Sequence, residues 1–160
     1  MAVTIRPATT GDLPSLGRLG ALLVRAHHDF DAKRFIAATA ETASGYSWFL
    51  GTQLDKPTIA VLVAEESGAV VGYSYAGLEG RDYMSLRGPA GVLYDVVVDP
   101  TRRKHGVGRL LVEAALRFLK SQGAKQVVLS TATQNEAAQH LFERIGFRPT
   151  MIEMTTELSN

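Results

Sequence analysis

Residues 99–111 read DPTRRKHGVGRLL. Gly106 and Gly108 stand one residue apart in a basic stretch holding Arg102, Arg103, Lys104, His105 and Arg109. The apolar run VLYDVVV lies just before it, and a helix-spaced apolar pattern starts at Val107. Backbone N–H groups bared at a helix start and ringed by cations suit an anion, most often a phosphate. Glycines let the main chain pass close to such a ligand. A second chemical feature is Asp95, an acid in the middle of the apolar run. An acid there is costly to bury unpaired, so it wants a cation.

Two familiar phosphate loops fail on the residues. A dinucleotide fold needs a third glycine, where Leu111 stands, and an acid about 20 positions on, where QVVLSTA offers none. A P-loop needs a lysine directly after its last glycine, and Arg109 follows Gly108. The balance of 17 Lys and Arg against 16 Asp and Glu gives a net charge of +1, so any positive site is local and a general nucleic-acid binder is not expected. Cysteine is absent, which removes disulfides, thiolate metal sites and a cysteine nucleophile together. The start MAVTIRPATTGD lacks a secretory pattern, and no apolar stretch has membrane-span length, so a cytoplasmic location without membrane partners is expected.

The elements that must position these groups follow from apolar spacing. Val3 to Arg6 reads as a strand stopped by Pro7. Thr10 offers a cap for a helix whose Leu13, Leu16, Leu19, Leu22 and Leu23 share one face. Asp31 is expected to cap a second helix through AKRFIAATAETAS, with Phe35, Ile36 and Ala40 inward. Residues 58–66 and 70–80 read as a hairpin, and residues 92–99 as a strand buried on both faces. A helix runs from Val107 to a stop at Gly123, followed by a buried strand at 126–132. Thr133 and Glu136 form a capping box for a short helix, and TMIEMTTEL reads as a terminal strand. The 160 residues are expected to form one domain, residues 1–160, of mixed α/β class.

The pattern Arg103-x-x-Gly106-x-Gly108 resembles the acetyl-CoA pyrophosphate loop of the GCN5-related N-acetyltransferase (GNAT) superfamily. NEAAQHLFERIGF resembles the family's second motif in register, with Asn135, Ala138, Leu141, Gly146 and Phe147 matching. The opening TIRPATTGDL is similar to a common family start. The resemblance implies a mostly antiparallel central sheet flanked by helices, with the parallel strands at 92–99 and 126–132 splayed apart. It further implies acetyl-CoA as cosubstrate, with no metal. Its pyrophosphate would meet Arg103, Lys104, His105, Gly106, Val107, Gly108 and Arg109. Pantetheine would pair with Val96, Val97 and Val98 like an added strand, beside Asn135, Ala138 and Phe142.

Acetyl transfer to an amine needs a proton acceptor, an oxyanion donor and a departing thiolate. The implied donor is a backbone N–H of the strand at Val96–Val98. Many family members place a tyrosine acid where this chain has Phe142, so another group (Tyr94 or His140) serves or the thiolate leaves unaided. LYDVVV is similar to the matching strand of aminoglycoside 3-N-acetyltransferases, which implies Asp95 as base, with Glu79 in reserve; a purely structural Asp95 stays open. His27, His28 and Asp29 lack metal-site spacing, and HHDFDAKRF is placed near the acceptor pocket. The expected function is acetyl-CoA-dependent transfer to a primary amine of a small molecule, polyamine- or aminosugar-like, by direct attack in a ternary complex. A protein or peptide acceptor and a non-catalytic acyl-CoA sensor are the alternatives, and association into a homodimer is left open.

Overall fold

A computed structural model describes residues 2–159. Strand β1 (Thr4–Pro7) is followed by helices α1 (Leu13–Phe30) and α2 (Thr42–Gly51). Strands β2 (Ile59–Glu66), β3 (Ala69–Glu79) and β4 (Ala90–Val98) come next, then α3 (Val107–Ser121), β5 (Val127–Val128) and α4 (Glu136–Ile145). The sheet order is β1-β2-β3-β4-β5, antiparallel throughout except for the parallel pair β4–β5. None of the helices among the described residues is long and apolar enough to cross a membrane.

The periodic leucines of α1 do what their spacing predicts. Leu16 and Leu19 are fully buried and meet Leu50, Val63, Tyr73 and Val97 on one face of the sheet. The opposite face is covered by α3 and α4, where Val112, Ala115, Leu119 and Phe142 pack on Ala76 and Leu93. Full burial of a Leu- or Val-sized side chain stabilises by roughly 1.5–3 kcal/mol, so each layer is strongly held. Arg6 ties β1 to the entry of α1 and to β2. Its guanidinium grips both oxygens of Asp12 at 2.8 and 3.0 Å and also donates to Glu65. Thr9 donates its N–H and hydroxyl to the Asp12 carboxylate and caps a short 3-10 turn, Thr10–Asp12, that leads into α1, so the residue preceding α1 is Asp12 rather than the expected Thr10.

The contact between α1 and α2 is glycine-lined. A Cβ at Gly17 would lie 2.3 Å from the Ala43 carbonyl oxygen, and one at Gly20 would lie 2.4 Å from the Tyr46 ring. The two helices therefore meet almost backbone to backbone.

Four expectations need correction. Asp31 does not start a helix; it ends α1, and its carboxylate accepts from Lys33 and Arg34 N–H in a turn. Helix α2 starts only at Thr42, because the apolar residues that reach the core, Tyr46 and Leu50, lie in 42–51; Ile36 is 77% exposed and Ala40 is exposed as well. The strand expected at 126–132 pairs with β4 only at Val127 and Val128, then leaves the sheet. Strand β4 is not buried on both faces, since Tyr94 is exposed to a cleft. The last expectation concerns TMIEMTTEL, which is not a strand here. Among the described residues, nothing in 148–159 makes a backbone hydrogen bond.

Candidate functional site

Strand β4 carries a bulge. Tyr75 faces Asp95 and Ala76 faces Leu93, so Tyr94 is the extra residue with no partner across the ladder. Adjacent strand residues ordinarily point to opposite faces, but a bulge re-aims them. Tyr94, Asp95 and Val96 all line one cleft of about 270 Å³, opened by the divergence of β4 from β5. Ser130 and Thr131 form its second side, α4 gives Asn135, Ala138 and Phe142, and His27, Phe35, Ile36 and Tyr46 close it from the α1–α2 side.

Asp95 accepts a 2.9 Å hydrogen bond from the Tyr73 hydroxyl, which is fully buried. Burial pushes the Asp95 carboxyl above its ordinary range, against the lowering influence of Tyr73 and of His27. The cation that the sequence demanded for Asp95 is not an arginine of this chain; a hydroxyl holds it in place. Burial, reinforced by the charge of Asp95, raises the Tyr46 hydroxyl to about 12, so it stays a protonated donor at neutral pH. The His27 ring meets the Leu23 carbonyl oxygen through Nδ1 at 2.8 Å. A carbonyl only accepts, so Nδ1 carries the proton and Nε2 keeps its lone pair in the neutral ring. His27 also stacks edge-on against Phe30 and Phe35.

Glu79 lies elsewhere. Its carboxylate pairs with Arg87 at 2.6 Å and accepts from the Tyr94 hydroxyl, and it does not line the cleft. The structure therefore does not bring Glu79 together with Asp95, although Tyr94 touches both neighbourhoods. His140 is exposed and outside the lining. Phe142 is 9% exposed, borders the cleft and meets Phe147 edge-on at 5.8 Å. The capping box expected at Thr133 is replaced: Asn135 caps α4, its side-chain oxygen accepting from the Ala138 N–H. Its NH2 group remains free to face the cleft.

The glycine loop stands at the head of α3. Gly106 has a φ of +81° and Lys104 one of +67°, left-handed turns that fold the loop back on itself. Among the described residues, no backbone or side-chain group accepts from the N–H of any residue from Arg103 to Arg109. Those donors, with the helix dipole behind them, face an anion-sized need. Arg103 donates to the Val98 carbonyl. Arg102 is engaged by Glu66 and Arg109 by Glu113, while Lys104 and His105 are exposed. Gly108 serves packing: its missing Cβ would point at Leu141 at 3.3 Å and at Val98. Val107 is buried beneath the loop with Leu111.

The free edge of β4 follows from its register. The Asp99 N–H bonds to the Val71 carbonyl on the β3 side. Alternation then turns the backbone groups of Val96 and Val98 toward the splay, while Val97 pairs with β3 and buries its side chain in the α1–α2 core. A free strand edge, a cleft and an unsatisfied donor loop therefore follow one another along the parting of β4 and β5.

The sequence did not single out His27, Tyr46, Ser130 or Thr131 as lining residues. Only HHDFDAKRF was placed near this wall, and no residue spacing marks Tyr46, which arrives through the glycine-lined helix contact.

Comparison with known proteins agrees with this geometry. A mycothiol acetyltransferase of Thermobispora bispora is 42% identical over 89 residues, which is 53% of this chain and 28% of that protein. The chain thus matches well under two thirds of that relative's length. Among solved structures, the BH1408 protein of Bacillus halodurans superposes with a TM-score of 0.83 at 24% identity, over 98% of this chain and 99% of that one. The aminoglycoside N-acetyltransferase AAC(6')-Iy, solved in complex with CoA, gives a TM-score of 0.75 at 17% identity over 98% and 95% of the two chains. The model of the acetyltransferase (GNAT) family matches residues 23–147. With the splayed β4–β5 pair and the open donor loop already in view, the chain belongs to the acetyltransferase (GNAT) family.

Proposed function

We propose that this enzyme takes an acetyl group from acetyl-CoA and passes it to a primary amine of a small molecule by direct attack in a ternary complex. The observation that carries the reading is Asp95, a half-buried carboxylate that opens onto the cleft just beside the free strand edge at Val96. The residues fit the cosubstrate: unpaired N–H groups from Arg103 to Arg109 suit a pyrophosphate, and the Val96 and Val98 edge suits a pantetheine arm. Asn135, Ala138 and Phe142 would flank that arm on the α4 side. Acetyl-CoA, when bound, supplies an activated acyl thioester.

This chain's residues supply the rest. A primary amine has a pKa near 10 and arrives as ammonium at neutral pH, as lysine does at about 10.4. The Asp95 carboxylate attracts it and then accepts its proton, directly or through water, helped by its raised pKa. The Tyr73 hydroxyl fixes the carboxylate's orientation. The backbone N–H that Val96 turns into the splay is the donor for developing negative charge on the acyl oxygen. Phe142 offers no proton, so the thiolate leaves unaided, which a thiol pKa of about 8.5 permits.

The size of the cleft and the wall of Phe35, Ile36 and Tyr46 favour a small acceptor over a protein chain. The 42% match to a mycothiol acetyltransferase supports a small-molecule acceptor in the same way. The test is a thiol-release assay with acetyl-CoA and a panel of polyamines, amino sugars and lysine peptides. Turnover confined to small amines is the expected result; turnover only with peptides would overturn the acceptor class.

A further inference from the structure

A primary ammonium must shed two protons from nitrogen on its way to an amide. Asp95, as a carboxylate, takes only one of them. The cleft holds a second group with a free lone pair. His27 lines it from the last turn of α1, while Asp95 lines it from β4. The two are close enough for the charge of one to act on the other.

Three contacts set the His27 ring. Nδ1 meets the Leu23 carbonyl oxygen at 2.8 Å, which keeps the proton of the neutral ring on that nitrogen. The rings of Phe30 and Phe35 meet it edge-on, with centroids at 5.5 and 5.1 Å and planes at 82° and 74°. Nε2 has no hydrogen-bond partner among the described residues. Because the two ring nitrogens aim well apart, a ring tied to its own helix through Nδ1 turns Nε2 away from that helix. Packing explains the edge contacts, but not a fixed tautomer whose single acceptor is left open in the cleft lining.

We propose that His27 is a second catalytic base: Nε2 accepts an N–H of the acceptor amine and takes the second proton, after Asp95 has taken the first. The role presupposes acetyl transfer to a primary amine in this cleft. Asp95 receives one proton from the ammonium, and the freed lone pair forms the new N–C bond to the acyl carbon. The adduct nitrogen is then positively charged, and Nε2 takes a proton from it. The C–S bond breaks with its electron pair on sulfur. Ammonium and carboxylate cancel in charge before the reaction, imidazolium and thiolate after it.

The other titratable side chains lining the cleft are Tyr46 of α2 and Tyr94 of β4, and Tyr73 of β3 reaches it through Asp95. Arg34 stacks on Phe35 at 4.8 Å. The tyrosines stay protonated and the arginine charged up to neutral pH and beyond. Loss of turnover toward acid therefore belongs to Asp95 or to the ring.

The test is steady-state kinetics of His27→Gln across pH, with an amine that the native protein acetylates. The new amide can hold an N–H but cannot take its proton. kcat should fall about tenfold or more, while the amine KM and CoA affinity stay within about twofold. The ring's share of the acid-side loss should vanish, whereas Asp95→Asn keeps it and raises the amine KM. A packing role would give neither the split between kcat and KM nor the altered pH profile. Native kcat and pH profile in His27→Gln would overturn the role and leave amine acetylation standing. A native protein that acetylates no amine would overturn both. If His27→Gln fails to fold, ring nitrogen NMR on the native protein decides. A protonated Nδ1, and a bare Nε2 whose signal moves when amine is added with CoA, are expected. A proton on Nε2 of the neutral ring, or an Nε2 signal indifferent to saturating amine, would overturn the role.

Discussion

The loop at the head of α3 and the wall around Asp95 are built by different means. The loop offers backbone groups: the anion-binding role proposed for it rests on a row of N–H donors, and its side chains are mostly engaged elsewhere or exposed. The wall offers side chains held by other side chains, with Tyr73 fixing Asp95 and with Phe30 and Phe35 framing His27. A backbone device needs particular residues only where the main chain bends, so it leaves a short pattern in the sequence. A side-chain device draws on α1, α2, β3 and β4 together, and leaves none. Binding the cosubstrate and choosing the acceptor should therefore separate under mutation.

The largest separation is expected at Asp95. Asp95→Asn keeps the shape and can still accept from Tyr73, but removes the charge. It should lower kcat/KM for the amine by tenfold or more while CoA affinity measured by calorimetry holds steady. The loss should shrink at high pH, where free amine is abundant. Because burial raises the Asp95 pKa, the folded state binds a proton more tightly than the unfolded chain there. Stability of the native protein thus falls as pH rises through the ordinary carboxylate range, and Asp95→Asn should melt higher at pH 7. Full activity at pH 7 would make Asp95 structural.

A change outside both regions comes next and serves as a control. Arg6 holds the Asp12 carboxyl down at about 2, below its ordinary 3.8. That contribution is complete at neutral pH and disappears as pH falls from about 4 to 2. Asp12→Asn should cost about 2 kcal/mol in urea unfolding at pH 7 and progressively less in acid, with both KM values unmoved.

The mirror image of Asp95 is Gly106. Its positive φ costs an L side chain about 1 kcal/mol or more, although nothing stands in the way of a Cβ. Gly106→Ala should weaken CoA binding roughly tenfold, about 1.4 kcal/mol, and leave the amine KM alone. A matched loss in both would erase the separation.

The smallest effect is expected where the two regions adjoin. Phe142→Tyr adds one hydroxyl at the cleft margin. Turnover should hold or rise slightly, read in the same thiol-release assay. A large loss without unfolding would mean that the ring packs against the acyl group or acceptor.

These contrasts also explain what could be read from the chain alone. The leucines of α1 and the apolar rows of α3 declare their helices because one face must be buried. Gly106 marks its loop because only glycine turns there readily. The bulge at Tyr94 is silent, since VLYDVVV is apolar on both parities and the register is chosen by β3. Residues 32–41 look helical by composition, yet the chain spends them in turns because Asp31 satisfies its carboxylate there. The segment 150–158 alternates like a strand, but a strand needs a neighbour to bond to, and it has none among the described residues.

The glycine seam between α1 and α2 bears on how such an enzyme can change its diet. With no room for even a methyl group at Gly17 or Gly20, α1 and α2 are packed at close approach, which brings Tyr46 to the cleft beside Asp95. Any drift in acceptor preference is thereby steered away from the helices and onto the turn-rich stretch that carries Phe35 and Ile36. There a substitution can reshape the mouth of the cleft without disturbing the sheet or Asp95.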